Sequence, residues 1–184
     1  MLRVIINKEE QVSIEELARS IRDIPDFPEE GVVFKDITTL IIDPRLFKEA
    51  IDRMAEEFSG REIDLVACVE ARGFIFGAAL AYKLGAGLVP VRKEGKLPYK
   101  TKKVSYSLEY GNATVEIHED AIKPGSRVLI VDDLLATGGT LGATVDLVKQ
   151  HGGDIVAVAV LIELDFLNGR EKLKGTPVFS LIHY

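Results

Sequence analysis

Two carboxylates stand side by side, Asp132 and Asp133, after the apolar run Val128–Val131 and before the small residues Ala136-Thr137-Gly138-Gly139-Thr140. A buried strand that ends in acids and turns through glycines into a helix forms a cradle for an anion. The glycines let the backbone approach, free N–H groups point outward, and the helix dipole favours negative charge. Thr137 and Thr140 add hydroxyl donors. Carboxylates beside a phosphate repel it, so the pair requires a counterpart such as ribose hydroxyls or a divalent cation. Read alone, the two aspartates can also simply cap the helix. Other phosphate loops do not match: the Walker pattern needs a lysine that is missing, and Gly138-Gly139-x-x-Gly142 is not a dinucleotide fingerprint. A side chain at Gly138 is expected to block the anion while sparing the fold.

Glu70-Ala71-Arg72-Gly73-Phe74 lies between an apolar strand and an apolar helix, so Arg72 and backbone donors can converge on a second anion. Between Arg92 and Lys103 six basic residues (Arg92, Lys93, Lys96, Lys100, Lys102, Lys103) face one acid, Glu94. By composition that run reads equally as a solvated loop or as an arm that meets an anionic ligand. His118, His151, His183 and Cys68 show no metal-ligand spacing among themselves. His118-Glu119-Asp120 reads as exposed polar chain after a hairpin.

The elements that must hold these groups alternate between strand and helix. Ser13 and Glu16 form a capping box before a helical face of Ile14, Leu17, Ala18 and Ile21, with Pro25 and Pro28 ending it. Asp43-Pro44 opens a second helix that stops at Gly60. Strands are predicted over Asp64–Val69, Leu88–Val91, Arg127–Val131, Ile155–Leu161 and Val178–Leu181, with helices over Gly73–Leu84 and from Gly139 to Gly152. Val104–Ile117 alternates around Gly111-Asn112 as a hairpin, with an open side that need not pack on the main core. The pattern is α/β: one domain with a mostly parallel, doubly wound sheet covered on both faces by flanking helices.

A net charge of −6 over 184 residues argues against a nucleic-acid binder. No apolar run approaches the ~20 residues that span a bilayer, and Asn7-Lys8-Glu9-Glu10 cuts the patch Leu2–Ile6 too short for a signal peptide. One cysteine fits a reducing compartment, so the cytoplasm is expected.

The segment Val128–Thr140 resembles the signature of the type I phosphoribosyltransferases: four apolar residues, an acidic pair, small residues, then Thr-Gly-Gly-Thr. The resemblance implies their fold, with a small N-terminal purine-recognition region (about residues 1–37) and a basic arm with a mobile β-hairpin loop (about 92–117). It implies that Ala136, Thr137, Gly138, Gly139 and Thr140 hold the 5′-phosphate of phosphoribosyl pyrophosphate (PRPP), and that Asp132 and Asp133 address the ribose hydroxyls. Mg²⁺ is implied on pyrophosphate and ribose oxygens and water, with no direct protein ligand expected.

Within that family, Pro28–Ile37 is similar to the purine-recognition stretch of the adenine-specific members, with Glu30 and Lys35 where proline and arginine are common. There the base stacks on the aromatic ring, here Phe34, and main-chain groups of Val33 and Lys35 read it; by chemistry alone Phe34 reads as core. Glu70–Phe74 resembles the pyrophosphate loop, and Arg92, Lys93 and Lys96 the basic stretch that neutralises pyrophosphate. Ser105–Gly111 resembles the mobile loop, which implies purine proton handling by Glu109 and loop packing by Tyr110; alone, Glu109 is an ordinary strand carboxylate. Ala136 replaces the aspartate of 6-oxopurine enzymes, consistent with acid–base chemistry supplied from Glu109. The resemblance covers Ile14 to Tyr184 and implies a homodimer that makes AMP and pyrophosphate from adenine and PRPP. The rivals are transfer to xanthine or hypoxanthine, and a PRPP-sensing DNA regulator, which would need a basic helix-turn-helix.

Overall fold

The computed structural model describes residues 12–107, 112–173 and 175–184, so Leu108, Glu109, Tyr110 and Gly111 lie outside the described residues. The chain divides into two compact units between Ala50 and Ile51.

The first unit opens with α1 (Ile14–Ser20), where the Ser13 hydroxyl accepts the Glu16 N–H at 3.2 Å as the capping box requires, and Leu17 is fully buried. A small antiparallel ribbon follows, β1 (Arg22–Ile24) against β2 (Phe34–Asp36). The sequence shows no period for it, because each strand is three residues long and the loop between holds Pro28 and Gly31. A short α2 (Thr38–Ile42) leads to α3 (Pro44–Glu57), whose first turn is capped by Asp43: its carboxylate accepts from the N–H groups of Arg45 (2.8 Å) and Leu46 (3.1 Å). The division falls inside α3.

The second unit is a seven-stranded sheet. Its strands are β3 (Leu65–Val69), β4 (Gly87–Lys93), β5 (Thr101–Ser107), β6 (Asn112–His118), β7 (Arg127–Leu135), β8 (Asp154–Glu163) and β9 (Val178–His183), in the order β5-β6-β4-β3-β7-β8-β9. Pairings from β4 through β9 are parallel, and β6 joins β4 and β5 antiparallel. Helix α4 (Gly73–Leu84) follows β3, and α5 (Gly139–Gln150) follows β7. Side chains alternate across the sheet. Ala67, Val69, Val128 and Ile130 pack in one core with Leu141, Val145 and Val148 of α5. The next residue in β3, Cys68, points the other way and touches α4 at Gly77, where an added Cβ would collide with it. That glycine lets α4 lie close enough to bury Phe76 and Leu80 completely, each worth roughly 1.5–3 kcal/mol.

One expectation is corrected and another refined. The strand does not end at the acidic pair: β7 continues to Leu135, with Asp132 opposite Val160 and Leu134 opposite Ile162 of β8. The hairpin keeps an open side along β5, but its other side does pack on the main core. β6 pairs with β4 (Arg92↔Glu116, Lys93↔Val115), and Val115 and Ile117 belong to the core. Period-two alternation reveals that a strand has two faces, but not which neighbour it joins.

Candidate active site

Helices α4 and α5 leave the carboxyl ends of two adjacent parallel strands, β3 and β7. Neither start carries a capping side chain, at Arg72 or at Gly138, whereas Ser13 and Asp43 cap the starts of α1 and α3. An uncapped start leaves N–H donors and the positive end of the dipole available to a ligand. Both starts border one cavity of about 270 Å³, with Glu70–Arg72 on one side and Asp132 to Thr140 on the other. Gly138 has a φ of 76°, and a Cβ there would collide with the Gly169 carbonyl. Glycine is thus required for both conformation and space, so a side chain at this position disturbs the fold, contrary to expectation.

The acidic pair lines this cavity. The Asp133 N–H donates to Asp132 Oδ1 at 2.9 Å. Arg72 Nε lies 2.9 Å from Asp133 Oδ2 as an ion pair, yet this buried oxygen accepts no directed hydrogen bond. Gly73 makes room for the pair, since a Cβ on it would stand 2.7 Å from Asp132 Oδ1. Burial and then the charge of Asp133 push the Asp132 carboxyl well above the usual carboxylate range. Burial also raises Asp133, with Arg72 working against it. Burial likewise holds the Cys68 thiol at about 12, so it is no nucleophile.

A second network fixes the basic arm. Arg92 forms a two-pronged pair with Glu70 (3.2 and 3.1 Å), and donates to the Lys96 carbonyl at 3.0 Å. Glu70 also accepts the Lys93 N–H at 3.1 Å. The buried carboxylate of Glu116 accepts the N–H groups of Lys96 and Leu97 and the Thr101 hydroxyl, all at 3.0 Å, with Lys103 Nζ at 3.7 Å. Burial alone would raise the Glu116 pKa; these donors and Lys103 outweigh it, and the net shift is downward. The Arg92 guanidinium is therefore occupied by Glu70, while the Lys93 and Lys96 residues are exposed.

Glu116 and Tyr106 gain roles that strand alternation does not reveal. Glu116 looked like the polar side of an alternating strand, but Val115, Glu116 and Ile117 are all buried, because β6 lies between two other strands. The Tyr106 hydroxyl stands 2.9 Å from Thr140 Oγ1. His183 lies 2.9 Å from Asp165 and near Glu163, the single three-group cluster of this kind among the described residues. Arg170 and Ser180 already bond the Glu163 carboxylate, so the protein itself satisfies this acid.

In the first unit, the ring of Phe34 meets Phe27 edge-on at 5.1 Å, and Lys35 Nζ pairs with Asp23 at 2.7 Å. Val33 is 49% exposed. Asp36 fastens this segment: it accepts from the Thr38 N–H (2.9 Å) and from Arg22 (2.6 Å), which hold its pKa down at about 2. Glu109 and Tyr110 lie outside the described residues.

The family model of the phosphoribosyl transferase domain matches residues 39–181. The adenine phosphoribosyltransferase of Acidobacterium capsulatum is 58% identical over 173 residues, covering 94% of this chain and 96% of that protein. The crystal structure of adenine phosphoribosyltransferase from Thermoanaerobacter pseudethanolicus is similar with a TM-score of 0.91 at 52% identity, covering 94% and 100% of the two chains. The enzyme of Saccharomyces cerevisiae, solved with adenine and an imino-altritol bisphosphate, gives 0.86 at 44% identity over 91% of this chain and 97% of that one.

Proposed function

This chain belongs to the adenine phosphoribosyltransferase family, and on that premise we propose how its residues transfer the 5-phosphoribosyl group of PRPP to adenine, giving AMP and pyrophosphate. One observation carries the assignment of roles: two uncapped helix starts and an undersupplied acidic pair border the same cavity. The turn Ala136, Thr137, Gly138, Gly139 and Thr140 holds the 5′-phosphate with main-chain N–H groups and hydroxyls. Asp132 and Asp133 accept the ribose hydroxyls, which supply the donors that the pair lacks. Arg72 and the start of α4 take the pyrophosphate, aided by the exposed amines of Lys93 and Lys96. Arg92 acts from behind through Glu70 and the Lys96 carbonyl.

The chemistry is displacement at ribose C1, with pyrophosphate leaving and purine N9 attacking. Charge builds on the leaving oxygens, and fixed donors stabilise it without reorganising. The acidic lining of Asp132 and Asp133 suits a hydrated Mg²⁺ brought in with the substrate, which would neutralise charge on the leaving group. Adenine is stacked by Phe34 and read by main-chain groups of Val33 and Lys35, while Glu109 handles the purine proton and Tyr110 packs within the hairpin loop. The whole chain works as one phosphoribosyltransferase domain in the cytoplasm, as a homodimer. Exposed Ile75 and Tyr82, seven residues apart on α4, share a helical face that supports such an association; Tyr82 is 91% exposed.

Product analysis with PRPP, Mg²⁺ and a panel of bases tests the reading: AMP should form from adenine, and little product from hypoxanthine or xanthine. Hypoxanthine presents a 6-oxo acceptor where adenine presents an amino donor, so a protein acceptor stays unpaired. Efficient use of hypoxanthine would sink the base assignment. Glu109→Gln should lower kcat by roughly 10²–10⁴ at nearly unchanged PRPP affinity.

A further inference from the structure

Thr140 is the last hydroxyl of the phosphate turn, and its Oγ1 stands 2.9 Å from the phenol of Tyr106, thirty-four positions earlier in the chain. The two belong to different elements, β5 and α5. The Tyr106 ring also covers the turn from behind: a Cβ added to Gly139 would lie 3.1 Å from Tyr106 Cδ2. Gly138 and Gly139 form a wall shared by two cavities, the one bordered by Asp132 and Arg72 and one on the hairpin side bordered by Tyr106 and Ser107. Tyr106 is not loosely placed. It is half-buried against the main core and lies opposite Ala113 in the β5–β6 pair.

A threonine hydroxyl has one proton and two lone pairs, and a fully ionised phosphate offers only acceptors. Thr140 therefore helps the phosphate only when its single proton points into the cradle. A partner that accepted that proton would remove the donor; a partner that donates to Oγ1 aims it. A phenol donates more strongly than an aliphatic alcohol, so the Tyr106–Thr140 bond runs from Tyr106 to Thr140 once an anion competes for the threonine proton. Hydrogen bonds in such a chain polarise one another, and the threonine becomes a better donor to the phosphate.

We infer that Tyr106 is a positioning residue for the 5′-phosphate, acting through Thr140: the phenol donates to Thr140 Oγ1 and commits the threonine proton to the bound phosphate. The inference rests on the reading of residues 136–140 as the 5′-phosphate site. It separates two ligand classes. Ligands that carry a sugar phosphate, ribose 5-phosphate and AMP among them, feel the loss of the phenol, and pyrophosphate does not.

Calorimetric titration with ribose 5-phosphate, AMP and pyrophosphate tests this on Tyr106→Phe, Thr140→Val, Thr140→Ser and the two double variants that add Tyr106→Phe to each Thr140 variant. Tyr106→Phe keeps the ring on Gly139, so the melting temperature should hold. Its affinities for ribose 5-phosphate and AMP should fall roughly fivefold to tenfold, the worth of one neutral hydrogen bond, with pyrophosphate unchanged. Adding Tyr106→Phe to Thr140→Val should weaken binding no further, whereas on Thr140→Ser, which keeps the hydroxyl, the full loss should return. Equal losses on the wild-type and Thr140→Val backgrounds would overturn the relay, as would sugar-phosphate affinities left within twofold by Tyr106→Phe. Failure of the wild type to bind ribose 5-phosphate would overturn the cradle reading, and the relay with it.

Discussion

Asp133 and Glu116 are carboxylates of the same sheet with almost no exposure, 4% and 1%, and they differ in their supply of donors. Glu116 has two main-chain N–H groups, a hydroxyl and a nearby ammonium. Asp133 shares its surroundings with a second carboxylate and has an arginine that pairs with one oxygen without a directed bond. Burial pushes both groups up; only Glu116 has enough donors to reverse the shift. A buried acid that is fully satisfied serves the fold, here by pinning the loop around Lys96 and Leu97. One that is left short of donors is held ready for a ligand that brings them.

The largest expected effect breaks the undersupplied site. Replacing both Asp132 and Asp133 by Asn removes two charge-assisted contacts at about 1.5–3 kcal/mol each, so kcat/KM should fall by roughly 10²–10⁴. The melting temperature of the ligand-free protein at neutral pH should rise, because no carboxylate charge remains to desolvate and Arg72 is partly open to solvent. Normal activity, or a clear loss of stability, would place the pair with Glu116 instead. At Glu116 the pattern should reverse: Glu116→Ala orphans the N–H groups of Lys96 and Leu97, costing about 2–5 kcal/mol in chemical denaturation. An unchanged midpoint would end the anchor role.

Arg72→Ala comes next, with PRPP and pyrophosphate affinity down by about 1.5–3 kcal/mol and AMP, which lacks pyrophosphate, spared. Equal losses for AMP and PRPP would make Arg72 a purely structural partner of Asp133. The smallest effect is in pH dependence, and its sign differs between the sites. The folded pKa values of Asp132 and Asp133 are raised, so their cost is absent below the ordinary carboxylate range and appears as pH rises from there through the raised values. Glu116 is lowered, so its contribution is present above the ordinary glutamate value and disappears as pH falls through its folded value. Melting curves from pH 3 to 8 should therefore show Asp132→Asn gaining on the wild type as pH rises, and Glu116→Gln losing most at neutral pH. Parallel curves would mean that neither carboxylate titrates as its surroundings dictate.

The strand, turn and helix that line the cavity were legible because a local pattern builds them: apolar run, acids, glycines and threonines follow one another. The turn at Glu70–Gly73 was legible for the same reason. What the sequence concealed depends on pairing at a distance. Arg92 reads as a free cation until β3 and β4 lie side by side and Glu70, 22 residues away, claims it. Glu116 reads as a solvated strand acid until β6 is enclosed by β4 and β5. Gly138 looked replaceable without harm to the fold, and only the chain near Gly169 shows otherwise.

The adjacency of β3 and β7 has a consequence for measurement by the protein. Strands in register, Cys68 beside Val131, stand about 4.8 Å apart and advance about 3.3 Å per residue. The spacing between the start of α4 and the start of α5 is thus set by main-chain hydrogen bonds of a buried sheet, which side-chain motion cannot stretch. On the roles proposed above, the two helix starts act as the jaws of a fixed calliper for the two charged ends of one molecule. A residue inserted into either strand before its turn would reset the jaws by a whole step of about 3.3 Å. Each half could then still grip its own anion, but no single ligand would fit both.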